Sequence, residues 1–348
     1  MAGKVRVGVV GIGFMGKMHF GVYKANPKSQ VVAIADVDAK KLSGDWSAIA
    51  GNIGDGSAKS VDLAGIRKYR DAMDLINDPE VDLVDITLPT YLHARYTLAA
   101  LAAGKHVISE KPICDNLADA KKVVAAAKKA RGRFMVAHCI RFWPEYAWTK
   151  EHVVEKGEFG KVLSASFRRL SGTPIWSWTN WLMDAKKSGA AAVDLHIHDV
   201  DYVRYLFGDP KAVWAQGAVN AVSKGGGVDH IVAQYRYPGV GQVTAEGGWA
   251  MAPGFGFEMS FILVCEKATV VYNCTKTPAF AVHLRNGKTL TPKVAAGDGY
   301  SLELDYFLDC IQKKRNPKVV TGTEALKSLA LALAEVRSLK AGGKQVRA

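Results

Sequence analysis

The chain has 348 residues, of which 49% are apolar and 23% charged, so it has the composition of a folded protein long enough for two domains with their own cores. Its formal net charge of +13 does not indicate a nucleic-acid partner, because the lysines and arginines are scattered through predicted helices and no nucleic-acid motif accompanies them. The sequence shows no signal peptide and no apolar run long enough to span a membrane, so we expect a cytoplasmic protein without a membrane or nucleic-acid partner.

The cysteines indicate neither a disulfide framework nor a zinc site. They are odd in number and none forms a C-x-x-C pair. We expect reduced thiols at Cys114, Cys139, Cys265, Cys274 and Cys310.

The most informative stretch of the chain lies at its N-terminus. Residues 5–10 are rich in valine, which is typical of a short buried strand, and a G-x-G-x-x-G motif follows at once, with a segment behind it that can continue as a helix. In such a motif Gly11 permits the tight turn out of the strand, Gly13 lets a pyrophosphate approach the backbone, and Gly16 lets the helix pack closely on the strand. The helix N-terminus presents free N–H groups and the positive end of its dipole to the phosphates. We therefore expect a dinucleotide to bind at Gly11, Gly13, Phe14, Met15 and Gly16.

An acidic residue follows the second predicted strand. Residues 31–35 form that strand, and Asp36 stands at its end, about twenty residues after the glycines, where a dinucleotide-binding fold places the carboxylate that takes the ribose 2′-hydroxyl. An acid there repels a 2′-phosphate, and the next residues offer no arginine, so NAD is favoured over NADP. The alternative is that Asp36 only starts a turn.

Strands and helices continue to alternate as far as residue 140. Residues 39–60, with Gly44, Gly51, Gly54 and Gly56, predict a helix and a loop. Further strands are predicted near 69, at 81–87, at 105–109 and at 133–138. Helices are predicted to end at residue 76 and to span 93–103 and 118–130. This alternation predicts a doubly wound parallel sheet, which binds its ligand beyond the carboxyl ends of the strands. We assign residues 1–140 to an α/β Rossmann domain that binds NAD(P).

The pattern changes after residue 140. Period-2 stretches separated by glycine and proline predict a large, open, mainly antiparallel sheet. These strands are expected at 162–168, 213–219, 230–237, 242–248, 257–265 and 268–273, with helices at 144–157, 193–207, 302–312 and 323–340. We assign residues 141–348 to an α+β domain for substrate binding and oligomerisation.

Two short segments carry residues suited to catalysis. Lys111 follows a parallel strand at its carboxyl end, on the cofactor side, although a lysine in such a place is often only solvated. On a helix over 193–207, Asp194 and His198 share one face. A histidine is suited to take a hydroxyl proton as hydride leaves the same carbon, and a neighbouring carboxylate can fix its tautomer. A metal site is not expected, because His196 and His198 would converge only on a strand.

The combination of these motifs resembles the Gfo/Idh/MocA oxidoreductase family, which includes glucose–fructose oxidoreductase and inositol dehydrogenase. The similarity rests on the glycine motif, Glu110-Lys111-Pro112 and Asp194-x-x-x-His198-Asp199, and it extends to Pro89–His93, to Arg141-Phe142 and to the segments Tyr300-x-x-Glu303 and Thr321-Gly322. The resemblance implies that Lys111 binds the reacting hydroxyl, Asp194 aids proton transfer and His198 is the acid/base. It also implies a homodimer or homotetramer formed through the C-terminal sheet. Further cofactor-binding residues expected on this basis are Thr87, Pro89, His93, Glu110 and Lys111.

Two residues depart from the family pattern. His196 stands where the family commonly has glycine, and Cys139 stands where an asparagine is frequent. We expect both to border the substrate pocket.

A cluster of aromatic residues precedes Asp194. Trp176, Trp178 and Trp181, together with Asn180, suit a sugar ring, whose C–H face stacks on an indole while its hydroxyls bond to an amide. The alternative for any one of these tryptophans is a core or oligomer contact. The substrate-binding residues expected are Lys111, Arg141, Trp176, Trp178, Asn180, Asp194 and His198.

The sequence therefore predicts an NAD-dependent dehydrogenase or reductase that acts on a carbohydrate or polyol. Two alternatives remain open at this point. One is a glycosidase that retains NAD and oxidises its substrate transiently, and the other is a non-catalytic sensor of dinucleotide or sugar.

Overall fold

A parallel sheet organises the first part of the chain, as its alternating pattern predicts. The computed structural model describes residues 3–51 and 60–348, so Gly54 and Gly56 of the predicted loop lie outside the described residues. Within the described residues, strands β1 to β6 comprise Val5–Val10, Ser29–Ala35, Arg67–Tyr69, Leu83–Ile86, His106–Glu110 and Phe134–Ala137. Helices α1 to α5 comprise Phe14–Ala25, Ala39–Leu42, Ala72–Asn77, His93–Ala102 and Leu117–Lys129.

The strand order of this sheet is β3-β2-β1-β4-β5-β6, with every pair parallel. The order reverses between β1 and β4, which is the doubly wound arrangement. All four residues of β4 are buried, as is expected of a central strand covered on both faces. Beyond the carboxyl ends of β1 and β4 lies the position at which such folds bind ligands.

A mainly antiparallel sheet organises the rest of the chain. Along residues 140–298, all of them described, strands β7 to β14 comprise Val162–Gly172, Ala212–Val219, Val228–Arg236, Gln242–Met251, Phe257–Cys265, Ala268–Asn273, Phe280–Leu284 and Thr289–Leu290. Their order is β14-β13-β12-β11-β7-β10-β9-β8, and only β7 and β10 pair in parallel. The sequence pattern predicts the first six of these strands but not β13 or the edge strand β14. Helices α6 to α11 comprise Pro144–Thr149, Ala185–Ser188, Ala190–Asp194, Ile197–Phe207, Gly299–Gln312 and Gly322–Lys340.

The chain divides into two compact units. The first unit contains the residues up to Cys139 together with Trp176–Trp181 and Gly299–Lys327, and the second contains Ile140–Ile175, Leu182–Asp298 and Ser328–Ala348. None of the helices in the described part of the chain has both the length and the apolar character needed to cross a membrane.

Helix α10 belongs to the first unit, although sequence analysis assigned it to the second domain. It packs beside the C-terminal end of α1, where the amide of Asn26 donates a 2.8 Å hydrogen bond to Asp305. Lys28 forms ion pairs of 2.8 and 2.7 Å with Asp305 and Asp309. Sequence pattern could not show this, because the partners are separated by more than 270 residues.

The helix predicted over 193–207 is interrupted. Helices α8 and α9 are separated by Leu195 and His196, whose N–H groups both donate to the carbonyl of Ala191, at 3.0 and 2.8 Å. One of these bonds spans five residues instead of four, so the turn widens and the α-helical ladder stops there. The prediction of an uninterrupted helix is therefore wrong.

Candidate active site

The glycine motif forms a tight turn at the carboxyl end of β1. Gly11 has φ +92°, a left-handed conformation that other residues rarely adopt, and a Cβ there would lie 2.9 Å from the side chain of Leu88. A Cβ at Gly16 would collide with the carbonyl oxygen of Gly11, so α1 can pack this closely only with glycine. A Cβ at Gly13 would meet no atom within 4 Å, which leaves the backbone open on that side.

The N-terminus of α1 is suited to an anion. Its N-cap residue Gly13 offers no side-chain bond, and no acidic side chain stands in the first turn. The first N–H groups of α1 and the positive end of its dipole are therefore not compensated by a side chain of this helix. This is the arrangement that binds a pyrophosphate.

Two neighbours support this loop from either side. The hydroxyl of Thr87, at the end of β4, lies 2.7 Å from the carbonyl oxygen of Gly11 and donates to it. The ring of Phe14 lies against the backbone of Gly51 and meets the ring of Trp176 edge-on, with centroids 5.5 Å apart. Trp176, predicted to contact substrate, is thus half-buried against the cofactor loop of its own unit.

Asp36 connects the end of β2 to the glycine loop. One carboxylate oxygen accepts the N–H of Ile12 at 2.7 Å, and the other accepts the N–H of Asp38 at 2.9 Å. Lys41 lies 3.4 Å from the first oxygen. Asp36 therefore starts a turn, as the alternative reading held, and also holds the loop through a charge-assisted bond. Each of its oxygens can accept further hydrogen bonds, so a role with ribose stays open to it.

The carboxyl ends of β4 and β5 are joined by a buried histidine. The two ring nitrogens of His93 lie 2.7 Å from the carbonyl oxygen of Leu88 and 2.8 Å from that of Pro112. The peptide bond between Lys111 and Pro112 is cis. Glu110 is 6% exposed and accepts the N–H of Lys111 at 3.1 Å, whereas Lys111 itself is partly exposed. Pro89 precedes a short 3₁₀ turn over Thr90–Leu92 at the same edge of the sheet.

Two buried ionisable residues that the sequence pattern did not predict lie beneath this edge. His19 of α1 and Asp85 of β4 are both fully buried, with Nδ1 of the imidazole 2.9 Å from the carboxylate. A signal was available, because Asp85 interrupts an apolar strand that is buried on both faces, and such a carboxylate needs a partner. The identity of that partner could not be read from the sequence, since it lies 66 residues away.

In the second unit, two buried ion pairs hold α9 in place. Arg141 makes two hydrogen bonds of 2.7 Å with the carboxylate of Asp201, and its guanidinium lies 4.5 Å from the ring centre of Tyr205. Arg169 of β7 makes a 2.7 Å bond with Asp199. Both aspartates are fully buried. Arg141 therefore has a structural partner, and its predicted contact with substrate stays a prediction.

His196 packs in the core of the second unit and does not border an open pocket. Its side chain is fully buried, with Nε2 2.9 Å from the carboxylate of Glu335, which also accepts a 2.8 Å bond from Tyr235. A Cβ at Gly247 would lie 2.5 Å from the imidazole, so the ring lies directly on the backbone of β10. The expectation that His196 borders the substrate pocket is wrong. Cys139, the other departure from the family pattern, is also buried, at 4% exposed.

Asp194 and His198 differ from their ionisable neighbours. His196, Asp199 and Asp201 are fully buried, whereas Asp194 and His198 are partly exposed. Asp194 ends α8 and His198 lies in the first turn of α9, so the break in the helix falls between them. Among the aspartates and histidines of this segment, the two that are partly exposed are therefore the two chosen for catalysis on sequence pattern.

The segment with the predicted sugar-binding residues is irregular. Trp178 is 47% exposed, and Asn180 is also exposed. Thr179 and Asn180 have φ of 50° and 53°, in the left-handed region. Consecutive non-glycine residues in that region are uncommon and often accompany functional sites.

The structure places the candidate residues in two groups. The first unit holds the glycine loop, Asp36, Thr87, Pro89, His93, Glu110, Lys111 and the segment from Trp176 to Trp181. The second unit holds Arg141, Asp194 and His198. Across residues 3–51 and 60–348, no three His, Cys, Asp or Glu side chains are grouped so as to hold a metal ion.

Two family models match the chain. Residues 5–138 match the model described as an oxidoreductase family with an NAD-binding Rossmann fold, and residues 149–271 match the C-terminal domain of the GFO/IDH/MocA family. The first of these matches shows that the parallel sheet is an NAD-binding domain.

Several characterised proteins are similar in sequence. The chain is 31% identical over 240 residues to myo-inositol 2-dehydrogenase of Thermotoga maritima, a match that covers 67% of this chain and 65% of the relative. It is 33% identical over 218 residues to levoglucosan dehydrogenase of Pseudarthrobacter phenanthrenivorans, covering 60% and 53%. It is 25% identical over 354 residues to inositol 2-dehydrogenase of Rubrobacter xylanophilus, covering 98% and 93%. The matched stretch thus spans less than two thirds of the first two relatives.

Solved structures share the fold. A levoglucosan dehydrogenase in complex with NADH and levoglucosan has a TM-score of 0.82 at 24% identity, over 99% of both chains. The aldose-aldose oxidoreductase of Caulobacter crescentus has a TM-score of 0.82 at 23% identity, over 99% of this chain and all of that one.

Proposed function

Since this chain belongs to the GFO/IDH/MocA oxidoreductase family, we propose that it is an NAD-dependent dehydrogenase or reductase acting on the hydroxyl-bearing carbon of a sugar, an inositol or a derivative. The named relatives act on inositols and levoglucosan, which supports a cyclic polyol or sugar as the substrate class. The observation that carries the proposal is the sorting of the ionisable groups near the break between α8 and α9. His196, Asp199 and Asp201 are fully buried, whereas Asp194 and His198 are partly exposed.

The roles of the residues follow from their chemistry. In the oxidative direction the ammonium of Lys111 donates a hydrogen bond to the substrate hydroxyl and stabilises the negative charge that develops on its oxygen. His198 accepts the hydroxyl proton, and Asp194 fixes the imidazole and stabilises its cation. Bound NAD⁺ supplies the acceptor for the hydride at nicotinamide C4. In reduction His198 returns the proton to the carbonyl oxygen.

A substrate screen tests the proposed activity. Purified protein is mixed with NAD⁺ and a panel of sugars, inositols and glycosides, and the absorbance of reduced nicotinamide is followed. We expect a rise with one or a few cyclic polyols or sugars. If NAD⁺ binds but no compound gives a rise, the proposal is wrong, and sugar released from a glycoside would then identify a redox-assisted glycosidase.

We propose that Asp36 selects NAD over NADP. Asp36→Asn keeps the acceptor for Ile12 and removes the charge that repels a 2′-phosphate, while Lys41 stays beside it. Loss of a charged hydrogen bond to ribose is expected to weaken NADH binding about tenfold or more. The ratio of the NADH affinity to the NADPH affinity should fall by more than this, because the repulsion of the 2′-phosphate is lost as well. Fluorescence titration with both nucleotides measures this. Asp38→Asn, on the same turn, is the control, and an unchanged ratio of the two affinities in Asp36→Asn would contradict the assignment.

We also propose that a second copy of the chain covers the open face of the large sheet. Two aliphatic side chains of this face are largely exposed, Val232 of β9 at 43% and Ile262 of β11 at 45%, beside the ion pair of Arg168 and Glu246. Exposed apolar groups on the face of interior strands support a contact surface.

Sedimentation velocity tests this oligomer. The wild type should sediment as a dimer or tetramer of the 37.6 kDa chain, and Ile262→Asp should shift it to monomer by placing a charge in the contact. Leu290→Asp, on the edge strand β14, is the matched control at 44% exposed. A wild type that is monomeric at all concentrations would refute the proposal.

A further inference from the structure

A chain of buried polar contacts runs from α1 to Lys111. His19 is fully buried, and its Nδ1 lies 2.9 Å from the carboxylate of Asp85, while its Nε2 lies 3.3 Å from Oε1 of Glu110. The second oxygen of Glu110 accepts the backbone N–H of Lys111 at 3.1 Å. The three side chains therefore connect the centre of the sheet to the backbone of the lysine.

The charges of this cluster fix the state of the imidazole. Burial alone lowers the pKa of His19, but the carboxylates of Asp85 and Glu110 outweigh burial and raise that pKa well above its ordinary value. Burial raises the pKa of Glu110, yet the positive charges of His19 and Lys111 hold it below its usual range. Both ring nitrogens then carry a proton, so that Nδ1 donates to Asp85 and Nε2 faces the carboxylate of Glu110 as a cation. Tyr23 of α1, His93 of α4 and Glu303 of α10 are further titratable groups close by.

We propose that His19 is a positioning residue, which holds the carboxylate of Glu110 where it anchors the backbone of Lys111. The inference rests on the proposed function, because it assigns His19 to the reaction in which Lys111 binds the hydroxyl. Without His19, two buried carboxylates lose the cation between them, and a buried charge without its partner is strongly unfavourable. Glu110 then takes up a proton or turns away, and Lys111 loses its anchor.

A double-mutant cycle tests the coupling. His19→Gln keeps two N–H donors and removes the charge, and Glu110→Gln keeps an acceptor for Lys111 while removing the carboxylate. Each change is expected to lower kcat roughly tenfold, and His19→Gln should leave the NADH dissociation constant nearly unchanged. The double variant should be little worse than the more damaged single variant, since the residues act through one contact. His106→Gln is the matched control, because His106 lies at the opposite end of β5 from Lys111 and its Nδ1 accepts the backbone N–H of Arg133 at 2.9 Å; this change should leave kcat unchanged.

Two results would overturn the proposal. One is that His19→Gln lowers the melting temperature but leaves kcat at the wild-type value. The other is that the effects of the two variants multiply, which independent structural damage would produce.

A second measurement does not depend on turnover. Lysines dimethylated with ¹³C give one NMR signal each, and Lys111→Arg identifies the signal of Lys111. We expect His19→Gln to shift or broaden this signal while His106→Gln does not. Histidine ¹⁵N spectra should show His19 as a cation at pH values where an ordinary histidine is neutral. An unshifted Lys111 signal or a neutral His19 refutes the positioning role. If no substrate is ever found but both NMR results hold, the proposed reaction fails and the structural coupling stands.

Discussion

Replacing Lys111 by alanine or His198 by asparagine is expected to lower kcat by about two to four orders of magnitude, because each change removes a group that carries charge or a proton in the transition state. The dissociation constant of NADH should change little in His198→Asn, since the dinucleotide is assigned to the glycine loop and Asp36. Stopped-flow measurement of the hydride step and fluorescence titration of NADH give the two quantities separately. Turnover near the wild-type rate in both variants would mean that the roles are wrongly assigned.

The controls for these variants are residues of the same type that lie at the surface outside the candidate site. Lys122→Ala removes a lysine of α5 that pairs with Asp119, and His152→Asn removes a histidine that pairs with Glu158. Neither should change kcat. If Lys111 and His198 serve one transition state, the double variant should be little slower than the slower single variant, because groups that act as a unit are not additive.

Breaking the ion pair between Arg141 and Asp201 is expected to have the largest effect on stability. Asp201→Asn leaves the guanidinium of Arg141 buried without its counter-charge, which typically costs about 3–5 kcal/mol of the free energy of unfolding. Ser328 also donates a 2.7 Å bond to Asp201, and Arg204 donates one of 2.9 Å to Ser328, so the change disturbs a connected network. A shift of this size should lower Tm by on the order of 10 °C, which thermal denaturation followed by circular dichroism measures.

Two comparisons show whether the charge itself is responsible. Asp119→Asn breaks an exposed ion pair with Lys122 and should leave the melting temperature nearly unchanged. Replacing both members of the buried pair by apolar residues, as in Arg141→Met with Asp201→Leu, should recover much of the lost stability, because neither charge is then left unpaired. If Asp201→Asn has the same melting temperature as the wild type, the ion pair does not stabilise the second unit.

The parts of the fold that sequence predicted are those that depend on neighbouring residues. The alternation of apolar and polar residues gave the bounds of β11 and β12 without error, at Phe257–Cys265 and Ala268–Asn273. The glycine motif predicts a tight turn, because the positive φ and the close side chain of Leu88 at Gly11 admit no residue with a side chain. Such features are contained in a window of a few residues.

The parts that sequence did not predict depend on partners far along the chain. His196 was placed at a pocket because its pairing with Glu335, on a distant helix, has no local signal. The role of His19 was missed for the same reason, since its carboxylate partners belong to β4 and β5. The break between α8 and α9 follows from a shared carbonyl at Ala191, which the helical periodicity around it does not reveal.

The membership of α10 in the first unit has a consequence for how the protein is made. Helix α10 is synthesised about 160 residues after Cys139, and ribosomes add roughly 5 to 20 residues per second. The surface that α10 covers at the end of α1, including Asn26 and Lys28 just after the helix, therefore stays exposed for on the order of ten seconds during translation. We expect an isolated fragment of residues 1–140 to keep that surface exposed permanently.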